Sequence, residues 1–308
     1  MILVIKLGAL GDFVQALGPM AAIRKHHPRE RIVLLTTRAF VEFAEASGYV
    51  DQVWLDSRPK LWEVGKWRSL RRWLRKTTIQ RVYDLQTSDR SSLYFRLFFP
   101  TKPPLWSGIA KGCSHPHANP NRDAMHTVER QKEQLTQAGV KMAGFDDPAE
   151  LDLSWATADV SKLGLPERFC VLAPGGARHR PAKRWPVENY LALARELAAL
   201  GVRPVLVGGD DEKDTTAAIA AAVPEAIDLA GRTELLQLAE IGRRAEAAVG
   251  NDTGPMHLLA AVGCKSVVLY SDESNPALCG QRGRSVKILR RPSLDDLSVD
   301  EVLAVLAP

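Results

Sequence analysis

Four loops in this 308-residue chain combine glycines, cations and carboxylates in a way suited to holding an anion. The most pointed is Gly250-Asn251-Asp252-Thr253-Gly254-Pro255-Met256-His257, directly after the apolar run Ala247-Ala248-Val249. Gly254 permits close backbone approach, and Pro255 suits the first turn of a helix, where its missing N–H would have no partner in any case. The amides of Thr253, Gly254, Met256 and His257 would then face a negative group, assisted by the helix dipole, and a diphosphate is the natural ligand. The alternative is that Asp252 or Thr253 only caps the helix.

The second loop, Pro174 to Pro186, follows an apolar run and pairs Gly175 and Gly176 with Arg178, Arg180, Lys183 and Arg184. It reads as a basic phosphate loop without Walker A spacing, in which Lys183 could act as a point charge on a phosphate oxygen; a solvated surface loop is the alternative. The third is Gly208-Gly209-Asp210-Asp211-Glu212. Glu212 could accept from ribose hydroxyls, or the acidic cluster could answer a helix dipole. The fourth, Gly8-Ala9-Leu10-Gly11-Asp12, is not a dinucleotide fingerprint. Gly8 and Gly11 leave room for a bulky substrate, and Asp12 could take a proton from an attacking hydroxyl or could simply be an N-cap. His115-Pro116-His117 has the look of a metal site but lacks a Cys or Glu at ligand spacing, so no metal is expected.

These loops need a scaffold that aims them, and the pattern supplies one. Strand-like runs at 1–7, 31–35, 50–55 and 81–85 alternate with helical stretches at 12–25, 40–46, 63–76 and 128–138. Strands are predicted again at 169–173, 202–207, 226–229, 247–249 and 266–269, with helices at 187–200, 214–222, 234–243, 255–261 and 299–306. Alternation of this kind predicts an α/β chain of two doubly wound, Rossmann-like domains, residues 1–155 and 156–308, with a cleft between them. The boundary is expected in 146–161, where Pro148 and polar residues interrupt the pattern. Residues 101–121, rich in Pro, Gly, His and Asn, are expected to be loop. Ser298-Val299-Asp300-Glu301 fits a capping box for the last helix.

Composition narrows the function classes. No apolar run approaches the ~18–20 residues that cross a bilayer, and the N-terminus reads as a first strand rather than a signal peptide. Cys113, Cys170, Cys264 and Cys279 are dispersed, which suits a reducing cytoplasm better than a disulfide framework. Residues 1–150 hold 23 Lys and Arg against 15 Asp and Glu, a net of +8, while the remainder carries a net of −3. A basic N-terminal half suggests an anionic partner: nucleic acid, an acidic membrane surface or a phosphorylated substrate. No nucleic-acid-binding signature accompanies the charge. The stretch Lys66 to Lys76 sets Trp and Leu among six basic residues; it could lie on an anionic membrane or form a solvated helix with an ordinary buried stripe.

Taken together, the segments Ile5 to Asp12, Tyr83-Asp84-Leu85-Gln86, His126 to Arg130, Pro174 to Pro186 and Asn251 to His257 resemble glycosyltransferase family 9, the heptosyltransferases of lipopolysaccharide assembly. The resemblance implies the GT-B architecture and a cytoplasmic enzyme, peripheral on the inner membrane's cytoplasmic face. It would bind a nucleotide-diphosphate sugar such as ADP-heptose and an anionic glycolipid acceptor carrying Kdo or heptose, with no cofactor and no nucleic acid. By the same resemblance Asp12 is the general base, with Gly8 and Gly11 beside it on the acceptor side. Lys183 matches a lysine that contacts the donor phosphates, Asp252 to His257 match the donor turn, and Glu212 lies near a ribose-binding carboxylate; the loop reading adds Gly175, Gly176 and Arg184 to the donor-binding set. The reaction expected of these residues is an in-line displacement with inversion that requires no metal, since helix N–H groups and cations can stabilise the leaving diphosphate and no Asp-x-Asp motif appears. One departure stands out: where members continue Phe-Gly-Pro-Thr after the strand at 266–269, this chain has Tyr270-Ser271-Asp272-Glu273-Ser274-Asn275-Pro276. A nucleotide-sugar epimerase of the same architecture, or a non-catalytic nucleotide-sugar-binding protein, is the alternative.

Overall fold

Strands covered by helices on both faces are continuous apolar runs. Both β1 (Ile2–Ile5) and β2 (Ile32–Thr36) are of this kind, buried at every residue. The computed structural model describes residues 1–145, 147, 150–177 and 179–306 and divides into two compact units, Met1–Asp147 and Pro148–Pro308. Part of the predicted boundary (Asp146, Pro148 and Ala149) and Arg178 lie outside the described residues.

The first unit adds β3 (Gln52–Leu55), β4 (Arg81–Asp84), β5 (Leu105–Gly108) and β6 (His115–Pro116). They form one parallel sheet in the order β3-β2-β1-β4-β5-β6. The register pairs Ile5 with Leu35 and with Asp84, so the C-terminal ends of β1, β2 and β4 lie level. The helices are α1 (Leu10–Gln15), α2 (Leu17–His26), α3 (Val41–Ala46), α4 (Val64–Lys76), α5 (Asp89–Arg96) and α6 (Thr127–Gln137).

The second unit repeats the winding with β7 (Phe169–Ala173), β8 (Arg203–Leu206), β9 (Ile227–Asp228), β10 (Ala247–Asn251), β11 (Ser266–Tyr270) and β12 (Val286–Arg290). Its order is β12-β11-β10-β7-β8-β9, again all parallel. Helices α7 (Val187–Ala199), α8 (Lys213–Ala222), α9 (Leu235–Arg244), α10 (Gly254–Ala261), α11 (Pro276–Cys279) and α12 (Val299–Leu306) cover it. Both units are therefore the expected doubly wound α/β folds. In each the winding reverses between the first and fourth strands, β1/β4 and β7/β10, where such sheets bind ligands beyond their strand ends.

Several expectations need correction. The stretch 101–121 is not all loop: β5 and β6 extend the sheet there, because Trp106 is fully buried and Val82 and Tyr83 pair with Trp106 and Ser107. The single helix expected over 12–25 is two, α1 and α2, meeting at Ala16. Helices α5 and α11 and strand β12 were not anticipated. The capping box before α12 is present, with Ser298 N–H donating to Glu301 and Glu301 N–H to Ser298 Oγ. None of the four cysteines is in a disulfide, and burial pushes the Cys264 thiol up to about 12.

Candidate functional site

In the second unit the loops leaving β7 and β10 meet at the winding reversal, and Asn251 is what joins them. Fully buried, it donates through Nδ2 to the Pro174 and Gly175 carbonyls at 2.8 and 2.9 Å. Its Oδ1 accepts from Trp185 N–H and Tyr190 hydroxyl, both at 3.0 Å. An amide with both ends satisfied deep in the fold fixes the two loops against each other.

Beside this brace Lys183 Nζ meets Asp252 Oδ2 at 2.5 Å, with the two side chains 12% and 8% exposed. Burial raises the Asp252 carboxyl, but the Lys183 ammonium, the Tyr270 hydroxyl and the charge of His257 outweigh it, so its pKa falls below the usual carboxylate value. Tyr270 lies 2.9 Å from Asp252 Oδ1 and 2.8 Å from Gln281 Oε1; its single proton serves one at a time, while Gln281 Nε2 donates to Asp252 at 3.2 Å. Asp252 is thus engaged by side chains and does not cap α10. The N-cap of that helix is Thr253, and no side chain caps it. The first turn, Gly254-Pro255-Met256-His257, therefore presents its amide end beside the Lys183–Asp252 pair.

The other predicted residues sort themselves by environment. Glu212 accepts from Gly209 N–H at 2.9 Å, as a local cap does. It also lies so close to Gly175 that a methyl group there would sit 2.6 Å from Glu212 Cγ, which brings the β7 and β8 loops together. Arg184 donates to the Gly176 carbonyl at 2.6 Å, and its Nε is buried without a partner. Met256 belongs to the core rather than to a ligand: it is fully buried, and its Sδ would be 2.7 Å from a Cβ on Gly250. Only its backbone remains a candidate. Arg180 is exposed and reaches the Glu273 carbonyl at 3.4 Å.

In the first unit Asp12 sits in the first turn of α1, whose N-cap is Ala9, so the N-cap reading fails. Gly8 before it has φ +121°, a conformation that side chains resist, and the Phe40 ring lies 3.1 Å from where its Cβ would be. Gly11 is buried. Asp12 lines a polar cavity of about 140 Å3 with Lys6, Gln86, Thr87, Arg122 and Arg130, at the β1/β4 reversal. Gln86 ties the two loops by accepting from Leu7 N–H at 2.8 Å, and Arg122 donates to Thr87 Oγ1 at 2.7 Å. Thr87 is held at φ +43°, a strained value for a branched residue, as is often found where a site fixes its backbone. Lys6 is buried and donates to the Leu85 carbonyl at 3.2 Å; burial lowers its pKa, against the pull of Asp12 and Asp84. Burial pushes the Asp84 carboxyl up to about 6 despite the amides of Thr87 and Gln86.

Lys6, Arg122 and Arg130 around one carboxylate suit an anionic ligand with a hydroxyl to deprotonate. Sequence reading gave Arg122 no role and met Arg130 only as the end of the segment His126 to Arg130, because both reach the cavity only when α6 and the turn before it fold over β4. Among the described residues no cluster of His, Cys, Asp or Glu could hold a metal ion. His117 faces Glu133 at 3.6 Å, and His115 contacts Ser114.

Residues 67–296 match the profile of glycosyltransferase family 9 (heptosyltransferase). Lipopolysaccharide heptosyltransferase 2 of Salmonella typhimurium is 31% identical over 232 residues, covering 69% of this chain and 65% of that protein. The aligned segment thus spans just under two thirds of that relative's length. Among solved structures, the ADP-heptose lps heptosyltransferase II of E. coli superposes with a TM-score of 0.79 at 22% identity, covering 99% and 97% of the two chains. The E. coli heptosyltransferase WaaC, solved with ADP-2-deoxy-2-fluoro heptose, gives 0.77 at 19% identity over 98% of each chain. At these identities the structural likeness speaks for the fold.

Proposed function

The chain belongs to glycosyltransferase family 9, and from that premise we propose that it moves a heptose from ADP-heptose to a glycolipid of the lipopolysaccharide core, with inversion at the anomeric carbon. The observation that carries the reading is the Lys183–Asp252 pair, braced by Asn251 at the winding reversal of the second unit. A diphosphate lying against the first turn of α10 would take the dipole and amides of Thr253, Gly254, Met256 and His257, the ammonium of Lys183 and the Nε of Arg184. Gly175 and Gly176 keep that approach open, and Glu212 is a ribose partner if it leaves Gly209. The nucleotide and sugar are carried over from the donor analogue bound by the WaaC relative.

On the acceptor side, Asp12 takes the proton of the attacking hydroxyl while Lys6, Arg122 and Arg130 hold an acidic sugar. As the new C–O bond forms, the bond to the donor phosphate breaks and its electron pair leaves with the diphosphate. Cations and helix amides fixed where that charge grows stabilise the transition state without a metal. Residues 1–155 are thus the acceptor-binding part and 156–308 the donor-binding part. In this reading the enzyme works on the cytoplasmic face of the inner membrane, where a cytoplasmic donor meets a membrane glycolipid. Titration calorimetry with ADP, UDP and GDP tests the donor half: selective binding of ADP, weakened by Lys183→Met, is expected, and selective binding of UDP would overturn it.

A further inference from the structure

Helix α4 and the loop before it form a surface that neither candidate site uses. The inward face of α4 is ordinary core, with Trp67, Leu70, Trp73 and Leu74 packed in the first unit. Its outward face is a row of exposed cations, Arg68, Arg72, Arg75 and Lys76, and α4 contains no acidic residue. Arg71 is spoken for by the Leu97 and Phe99 carbonyls, and Lys66 by Glu63.

The loop at the N-terminal end of this row is apolar and pointed at water. Leu61 and Trp62 are 79% and 74% exposed, and Leu55 and Val64 are more than half exposed. Their exposure does not come from a loose backbone. Lys60 N–H donates to Glu63 at 2.7 Å, Trp67 Nε1 to the Lys60 carbonyl at 3.0 Å, Arg90 to the Pro59 carbonyl at 3.1 Å and Arg58 N–H to Asp56 at 2.8 Å. Beneath lies a cavity of about 780 Å3 between β3 and α4, lined by Val53, Trp54, Leu55, Leu70 and Trp73 among others. A firmly tied loop that presents Leu and Trp to solvent marks an interaction surface.

We propose that this surface docks the first unit on an anionic phospholipid bilayer. The cations of α4 lie on the headgroups, and Leu61 and Trp62 insert at the interface, where Trp is favoured. Charge and apolarity together select this occupant. A second copy would oppose one unneutralised cationic row to another, and a polynucleotide would leave Leu55, Leu61 and Val64 against phosphate and water. The placement also fits the fold. In a parallel sheet all strand ends share one edge, so the loop leaving β3 stands on the same edge as the loops after β1 and β4 that carry Asp12, Gln86 and Thr87. The bilayer contact thereby turns the Asp12 cavity toward the lipid surface, which deepens the glycolipid-acceptor reading.

Cosedimentation of the full chain with phosphatidylglycerol vesicles, against phosphatidylcholine vesicles and without donor or acceptor, tests this apart from catalysis. Binding to the anionic vesicles that weakens with salt is expected. Arg68→Gln/Arg72→Gln/Arg75→Gln should lower partitioning about 100-fold, at about 1 kcal/mol per cation. Leu61→Ser/Trp62→Ser should lower it about ten-fold or more. Both sets of changes are on exposed side chains, and an unchanged Tm shows that the fold survives. Absence of vesicle binding, or binding indifferent to both variants, overturns the proposal. So does a concentration-dependent dimer lost in Leu61→Ser/Trp62→Ser, or tighter binding to duplex DNA than to the vesicles. Heptosyl transfer that persists without vesicle binding would remove the docking surface and leave the proposed function standing.

Discussion

Replacing Lys183 with methionine separates a structural from a ligand-binding role for the same ammonium. The pair it forms with Asp252 is short, 2.5 Å, and nearly buried. Removing one partner of a buried pair destabilises by about 3–5 kcal/mol when the other is left uncompensated. Here Tyr270 and Gln281 still reach Asp252, so about 3 kcal/mol or less is expected, a fall in Tm of roughly 6–12 °C for a unit of this size. If Lys183 also meets the donor phosphates, a charge-assisted contact worth about 1.5–3 kcal/mol disappears, and ADP binds about 10- to 150-fold more weakly. Calorimetry well below the lowered Tm reads the second effect free of the first. A depressed Tm with ADP affinity unchanged within about two-fold would refute the reasoning and leave Lys183 as no more than a counter-ion. The pair has a pH signature as well. The Asp252 pKa is depressed in the folded state, so its stabilisation is present above the unfolded value of 3.8 and is lost as pH falls through the folded value. In Lys183→Met that acid limb should shrink.

Asp12→Asn should lower kcat about 100- to 10,000-fold with ADP affinity unchanged, since a general base acts only on the attacking hydroxyl; near-normal transfer would remove Asp12 from that role. Asp84 carries the opposite linkage to Asp252. Its folded value of about 6 lies above 3.8, so its contribution is fully present below 3.8 and lost as pH rises through 6, amounting to about 3 kcal/mol. Denaturant melts of Asp84→Asn from pH 4 to 7 should therefore be flatter than those of the parent, and parallel curves would contradict the assignment. Gly8→Ala forces a side chain into φ +121° against the Phe40 ring and should cost about 1–3 kcal/mol, with kcat reduced and ADP binding intact. Calorimetry paired with a turnover assay checks both halves.

The parts of the fold legible from sequence were those whose pattern is local. The buried runs of β1 and β7, the helical spacing of α7 and α9, and the Ser298–Glu301 capping box all announce themselves within a few residues. Strand β5 did not, because Pro103, Pro104 and Gly108 read as loop, and the burial of Trp106 that makes it a strand is a tertiary fact. The site divides in the same way. Asp252, Lys183 and Asp12 stand out by type and position after a strand. Asn251 lay in plain view within the donor turn, but its role depends on partners 61 to 77 residues away. Met256 enters the donor turn only through its backbone amide, and what type and position do not tell is where its side chain goes: it packs against Gly250 in the core. The departure at Tyr270 gains a physical meaning, since a phenylalanine there could not hydrogen-bond to Asp252 or Gln281.

The central claim is met most directly by incubating the protein with ADP-heptose and a Kdo-bearing lipid A acceptor and following both ADP and the acceptor's mass. The account predicts ADP release only when the acceptor is present, matched by an acceptor heavier by one heptosyl unit whose new linkage is inverted relative to the donor. Turnover of the donor alone, or an unmodified acceptor with UDP-sugars bound in preference to ADP-heptose, would contradict it.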